Sequence, residues 1–356
     1  MKHNNEINPV LDAKKLDVGY RLSGKKTRIV AGDINVSLRA GQFVCLLGPN
    51  GAGKSTLIRT LAGMQEPLAG EILLDGTPLQ VWSARERAQR MSLVLTQRVA
   101  AGMMPVAALV ALGRQPFTNW TGMLTHRDNE VVHQALRDVG IVDLAHRPIC
   151  ELSDGERQKV MIARALAQKP QVMILDEATA FLDLPRRVEL MQLLQKLAAE
   201  GGRAILLSTH DLDLALRHAD RLWILPPGGP LRQGAPEDMI LADALDTAFE
   251  NTAEVRFDKA SGAFARKNRE RGNIILSGDG ITAQWTARAL ERKGYRVVPD
   301  GDPGCEAFSR IAVHQVNNAP AWEIKNTASG ETAACASIET LLERLPRSVN
   351  MEEAHV

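Results

Sequence analysis

Apolar residues along this chain fall into three rhythms. From Leu11 to Arg39 they alternate with polar residues, and a Gly-Lys-Lys break at Gly24–Lys26 interrupts them. Successive side chains of a strand point to opposite faces, so this alternation predicts two or three antiparallel strands. A second rhythm is short and continuous: Phe43–Leu47, Met91–Leu95, Val172–Leu175 and Ala204–Ser208. Such runs predict strands buried on both faces. The third rhythm is helical. It marks Lys54–Met64, Ser153–Gln168 and Val188–Glu200. Within Met104–Ile149 it recurs as Val106, Leu109 and Val110, then as Val131, Val132 and Ala135, which predicts a helical insert. The order strand, glycine-rich turn, helix, insert, strand, helix, strand predicts an α/β core with a parallel sheet.

The turn cluster Pro226–Pro230 closes this core. Leu231–Phe264 predicts a short helix and two strands, and the charged stretch Arg266–Arg271 reads as a linker. A small unit follows. Its pattern predicts strands at Asn273–Leu276, Arg296–Val298, Arg310–His314 and Ala321–Lys325, with helices at Thr282–Lys293 and around Ser337–Leu345. Trp285 and Trp322 are expected in its core.

Composition narrows the function classes. A length of 356 residues favours more than one domain, and 45% hydrophobic residues suffice to bury a core. The 43 Lys and Arg nearly balance the 42 Asp and Glu, which argues against a basic nucleic-acid-binding surface. Aromatics at 4% argue against base-stacking platforms. The start, MKHNNEINPV, lacks the apolar core of a secretory signal. The most apolar stretch, Met103–Leu112, contains Pro105 and falls far short of the roughly 20 residues that span a bilayer. The chain is therefore expected to be soluble. Cys45, Cys150, Cys305 and Cys335 form no C-x-x-C pair, which fits reduced thiols.

The turn after Phe43–Leu47 carries the chemistry. Gly48, Pro49, Asn50, Gly51, Ala52, Gly53, Lys54 and Ser55 fit G-x-x-x-x-G-K-[ST], and Thr56 follows. Glycines let backbone N–H groups turn inward around phosphates, and the helix N-terminus adds its dipole. Lys54 offers a point charge to the β- and γ-phosphates, and the Ser55 hydroxyl can ligate Mg²⁺. The strand Val172–Leu175 runs into Asp176 and Glu177. Two acids at the end of a buried strand require compensation, which Mg²⁺ supplies at Asp176. Glu177 points to the other face and can orient or deprotonate a water. His210, after the strand Ala204–Ser208, lies at the sheet edge where ligands bind and can donate to a γ-phosphate.

Leu152-Ser153-Asp154-Gly155-Glu156-Arg157-Gln158 has the S-x-x-E spacing of a helix capping box. With the other motifs, in this order, it resembles the signature of ATP-binding-cassette (ABC) ATPases, usually Leu-Ser-Gly-Gly-Gln. The resemblance covers about residues 12–260. It implies a P-loop NTPase core of ABC type, with a parallel sheet, an antiparallel β subdomain and a helical subdomain at about 100–165, all within 12–262. By resemblance, Tyr20 stacks on adenine, and Gln97 is the Q-loop glutamine that senses Mg²⁺ and water. Ser153, Gly155 and Glu156 belong to the signature that meets ATP on the other subunit, Asp183 is the D-loop aspartate, and His210 is the switch histidine. Cofactors are then ATP and Mg²⁺, the metal held by Ser55, Gln97 and Asp176. One chain carries one of each motif, so the two composite sites of the family imply a homodimer. Asp154 and Glu156 depart from the usual pattern, and Asp154 is expected to point away from nucleotide.

Gly113-Arg114-Gln-Pro116-Phe-Thr118, followed by Asp128, resembles a segment of the ATPases of iron-chelate, haem and vitamin B12 importers. That resemblance implies a transmembrane permease dimer as partner, a periplasmic substrate-binding protein beyond it, and no nucleic acid. It places the chain peripherally on the cytoplasmic side of the inner membrane. Another transport cassette, for a metal ion or for export, and a non-transport ABC ATPase remain alternatives. Outside the resemblance, residues 272–348 form a small C-terminal α/β extension, read as regulatory or dimerising. There Gly278, Gly280 and Ala283 fit G-x-G-x-x-[GA], with Asp300 about 20 residues on, a pattern also compatible with a dinucleotide.

Overall fold

The computed structural model describes residues 9–22, 26–95, 102–249, 255–259, 262–266, 271–300, 307–316, 319–327 and 329–345. They form two compact units, one reaching to Phe264 and the other starting at Ala265, with residues 254–256 grouping with the second.

The first unit opens with β1 (Leu11–Arg21), β2 (Thr27–Leu38), β3 (Phe43–Leu47) and α1 (Lys54–Leu61). The hairpin β4 (Ala69–Leu74) and β5 (Thr77–Pro78) precedes α2 (Ala84–Arg90) and β6 (Met91–Val94). The insert contributes α3 (Val106–Ala111), α4 (His126–Asp138) and α5 (Asp154–Ala167). Then come β7 (Val172–Asp176), α6 (Leu184–Ala199), β8 (Ala204–Ser208), α7 (Leu212–His218), β9 (Arg221–Ile224) and β10 (Arg232–Gly234). The segment α8 (Pro236–Leu241), α9 (Ala244–Phe249), β11 (Val255–Asp258) and β12 (Ala263–Arg266) follows.

Two sheets result. One is antiparallel, in the order β2-β1-β4-β5. The other runs β10-β9-β3-β8-β7-β6, parallel except for its β10 edge. Every residue of β3, β7 and β8 is buried, as parallel strands covered on both faces should be. Alternate residues serve two different cores. Phe43, Cys45 and Leu47 face the insert and α6, whereas Val44 and Leu46 face the antiparallel sheet and α1.

The insert is pinned by a buried ion pair. Arg114 Nε donates to Asp128 Oδ1 at 2.9 Å, and Arg114 Nη1 donates to the Ala167 carbonyl at 2.7 Å, at the end of α5. Hydrogen bonds from Thr125, with Arg114 beside them, hold the Asp128 carboxyl below the usual aspartate range. Removing one partner of such a pair costs about 3–5 kcal/mol. Two sequence expectations change here. Leu231–Phe264 holds two helices, because Asp243 adopts a left-handed φ of 55° and divides them. The β4–β5 hairpin is an addition that the alternation did not mark.

The second unit contains β13 (Asn273–Ser277), α10 (Gly280–Arg292), β14 (Arg296–Pro299), β15 (Ala307–Val316), β16 (Ala319–Asn326), β17 (Thr332–Cys335) and α11 (Ile338–Arg344). Its sheet runs β14-β13-β15-β16-β17, parallel around β13 and antiparallel beyond β15. Ile274, Leu290, Tyr295, Ile311, Trp322 and Leu341 form its core. Trp322 Nε1 donates to Thr286 Oγ1 at 2.7 Å. Trp285 is not a core residue: it is 55% exposed, with the Arg288 guanidinium 5.0 Å from its ring centre. The buried face of α10 is Ala283, Thr286, Ala289 and Leu290, and Trp285 lies off that stripe. Among the described residues, no helix is long and apolar enough to cross a membrane.

Candidate active site

The turn from β3 into α1 is built around Lys54. Its ammonium donates to the carbonyls of Gly48 at 2.8 Å and Pro49 at 3.2 Å, so the side chain folds back across its own loop. Burial lowers the Lys54 pKa, and the nearby carboxylates of Glu177 and Asp176 oppose that shift. Gly53 precedes α1 at φ 102°, where an added Cβ would lie 2.5 Å from Val30 Cγ1. Only glycine fits that turn without strain. Thr56 Oγ1 shares a hydrogen bond with the Tyr20 hydroxyl at 3.1 Å, which brings Tyr20 beside the loop's helix. Tyr20 remains 44% exposed, so its ring is open to a ligand.

Strands β7 and β8 deliver the acids and the histidine to the same end of the sheet. Ser55 Oγ donates to Asp176 Oδ1 at 3.4 Å. Two hard oxygen donors side by side suit Mg²⁺, which binds few protein groups and keeps several waters. Glu177 N donates to the Ser208 carbonyl at 3.0 Å, and its φ of 49° is left-handed. Such a backbone is uncommon for a residue with a side chain and occurs where function fixes it. The turn aims Glu177 Oε1 at His210 Nε2, 2.8 Å away. Thr179 and Thr209 hydroxyls, 3.2 Å apart, tie the two loops together beneath that pair.

A second group gathers where α5 and α6 begin. Ser153 caps α5, its Oγ accepting from Glu156 N at 3.3 Å while Ser153 N and Oγ donate to Glu156 Oε2 at 2.8 and 2.7 Å. Those Ser153 hydrogen bonds hold the Glu156 carboxyl below its usual range. Asp154 pairs with Arg157 at 3.1 Å on its own helix. Asp183 caps α6, accepting from Arg186 N at 3.0 Å. Gln97 lies outside the described residues.

Sequence reasoning missed Arg186 and Arg187. Arg187 Nη1 reaches Asp211 Oδ2 at 3.4 Å, and the Arg186 side chain lies over Gly155. No motif marks either, because both contacts join elements distant in sequence. A groove of about 480 Å³ was also invisible. It is lined by Met64, Arg87, Met91, Leu93, Met161 and Arg164.

Comparison with known proteins agrees with this geometry. Residues 31–180 match the family described as ABC transporter, and residues 271–346 match the Iron ABC transporter C-terminal domain. A cobalamin import ATP-binding protein of Halobacterium salinarum is 34% identical over 338 residues, which are 92% of this chain and 82% of that protein. The ferric enterobactin transport ATP-binding protein of Escherichia coli is 36% identical over 256 residues, 71% of this chain and 91% of that one. A solved metal-chelate type ABC transporter in an inward-facing conformation superposes with a TM-score of 0.59 at 26% identity, over 68% of this chain and 90% of that chain. The chain therefore belongs to the ABC transporter ATP-binding proteins and is an ATP-hydrolysing subunit of that family.

Proposed function

We propose that this chain energises uptake of an iron-siderophore, haem or cobalamin across the inner membrane. The observation that carries the proposal is the pairing of the ATP site with a second unit that matches an iron-transporter C-terminal domain. Residues 12–262 are the nucleotide-binding domain, with about 100–165 as its helical subdomain. Residues 272–348 are a regulatory or dimerising extension. The protein acts as a homodimer bound to a permease dimer on the cytoplasmic face, and a periplasmic binding protein delivers cargo. The groove between α2, β6 and α5 receives the permease: it is open, partly apolar and edged by Arg87 and Arg164.

Each residue has a task. The phosphate loop and Lys54 grip the β- and γ-phosphates, and Tyr20 stacks on the base. Mg²⁺, held by Ser55, Asp176 and Gln97, would neutralise phosphate charge. Glu177 orients the attacking water and accepts its proton. His210 leaves Glu177 to donate to the γ-phosphate. Ser153 and Gly155 meet the ATP of the partner copy, and Asp183 seats the joint between them. ATP stabilises the closed dimer through γ-phosphate contacts that ADP lacks, and hydrolysis reopens it.

The test is uptake by cells lacking this chain, with ferric siderophore, haem and cobalamin supplied separately. Restoring the wild-type chain should recover uptake of one cargo, and Glu177→Gln should restore none. Recovery of that uptake by Glu177→Gln, or no deficit for any of the three cargoes, would refute ATP-driven import.

A further inference from the structure

We propose that Arg186 is a nucleotide-binding residue: it supplies the positive charge that lets an acidic signature accept the ATP of a second copy. This rests on the composite-site reading above. The problem it solves is electrostatic. A helix N-terminus attracts phosphate with about half a positive charge. Here the first turn of α5 carries Asp154 and Glu156, and both carboxylates oppose an arriving γ-phosphate. Asp154 is matched within its own helix by Arg157 at 3.1 Å. Glu156 accepts from Ser153, so the hydroxyl that should reach the phosphate is already donating to a carboxylate.

Arg186 comes to this turn from another element. Its backbone N is fixed by Asp183 Oδ1 at 3.0 Å, which holds the first turn of α6. Its Cδ and Cγ lie 3.5 and 3.6 Å from where a Cβ on Gly155 would sit. A guanidinium on that stem lies within reach of whatever approaches Gly155. After the Ser153 hydrogen bonds, which hold the Glu156 carboxyl below its usual range most strongly, Arg147 and Arg186 add a smaller pull in the same direction.

The guanidinium is held by an exchangeable partner. Arg186 Nη1 contacts Glu189 Oε2 at 3.1 Å, and Lys159 Nζ contacts the same oxygen at 3.5 Å. When Arg186 turns towards phosphate, Lys159 keeps Glu189 compensated. The Arg186 side chain is 52% exposed, so it is free to turn. Arginine suits this task because its planar fork binds two phosphate oxygens at once. Asp183, Arg186, Glu189 and Lys159 also link the start of α6 to α5, so the D-loop and the signature approach a partner as one surface.

The experiment uses the full chain with Glu177→Gln, which holds ATP unhydrolysed. Light scattering reads the ATP concentration at which half the protein is dimeric. Arg186→Ala should raise that concentration about tenfold, because each of the two copies loses a charged contact to phosphate. Arg186→Lys should raise it less, by about threefold, because the charge remains while the two-pronged contact is lost. With Asp154→Gly and Glu156→Gln also present, Arg186→Ala should shift the midpoint less than about twofold. ATP affinity of the dilute monomer should be equal in all of them, which excludes a folding defect. An equal shift in both backgrounds, or none with the acidic signature, overturns the proposal. If Glu177→Gln does not dimerise with ATP at all, the composite-site reading fails first and takes this one with it.

Discussion

The turn from β3 into α1 and the turn from β13 into α10 share a local form. Each follows a strand that contributes to its unit's core, carries two or more glycines and opens a helix. Around the first, Lys54 crosses the loop, Asp176 touches Ser55 and Glu177 touches His210. Around the second, the residues Gly278–Ala283 include an acid, Asp279, and no base. Gly278, at φ 132°, passes so close to β15 that an added Cβ would meet Val313 Cβ at 2.8 Å. Asp300, the acid placed about 20 residues on, faces Arg310 at 3.5 Å. The second turn therefore has a packing reason for its first glycine, and its acid has a protein partner. A glycine-rich βα turn becomes a phosphate site through a cation of its own, here Lys54, and through the metal-binding and water-orienting groups that neighbouring strands bring to it, not through the glycines alone.

Substitutions at the two turns sharpen this contrast. The largest effect is expected from Lys54→Ala. Steady-state ATPase should fall by about a hundredfold or more, because a charge at the transferring phosphate is lost. Turnover within tenfold of wild type would break the comparison. Gly53→Ala comes next. Its strained φ and the overlap with Val30 should weaken ATP binding about tenfold or more, read by nucleotide titration. Gly278→Ala should instead destabilise the second unit by about 1–3 kcal/mol in denaturant melts, with ATPase unchanged within about twofold. Loss of nucleotide binding without loss of stability would make the second turn a ligand site after all. The smallest effect belongs to Trp322→Phe, which leaves Thr286 Oγ1 without its donor and should cost about 1 kcal/mol in the same melts.

Much of the first unit is legible in the sequence, and the reasons are local. Continuous runs such as Phe43–Leu47 and Val172–Leu175 can satisfy their burial only inside a parallel sheet. The capping box at Ser153 and the acids after β7 carry their own chemistry. The less legible features depend on neighbours distant in sequence. The β4–β5 hairpin earns its place through pairing with β1, and Trp285 is exposed because the sheet meets a different stripe of α10. Asp183 reads in sequence only as a motif residue, and the fold adds that it caps α6 and holds Arg186. The contact of Arg186 with the signature has no counterpart in any short pattern, since α5 and α6 are separated by β7. The ion pair of Arg114 with Asp128 joins residues that sequence marks separately and leaves unpaired.

The central claim is that ATP is held between the phosphate loop of one copy and the signature of another. The most direct test is the solution mass of Glu177→Gln with Mg²⁺ and either ATP or ADP. The expected result is twice the monomer mass with ATP and the monomer mass with ADP. A monomer under both nucleotides, with ATP demonstrably bound, would contradict it.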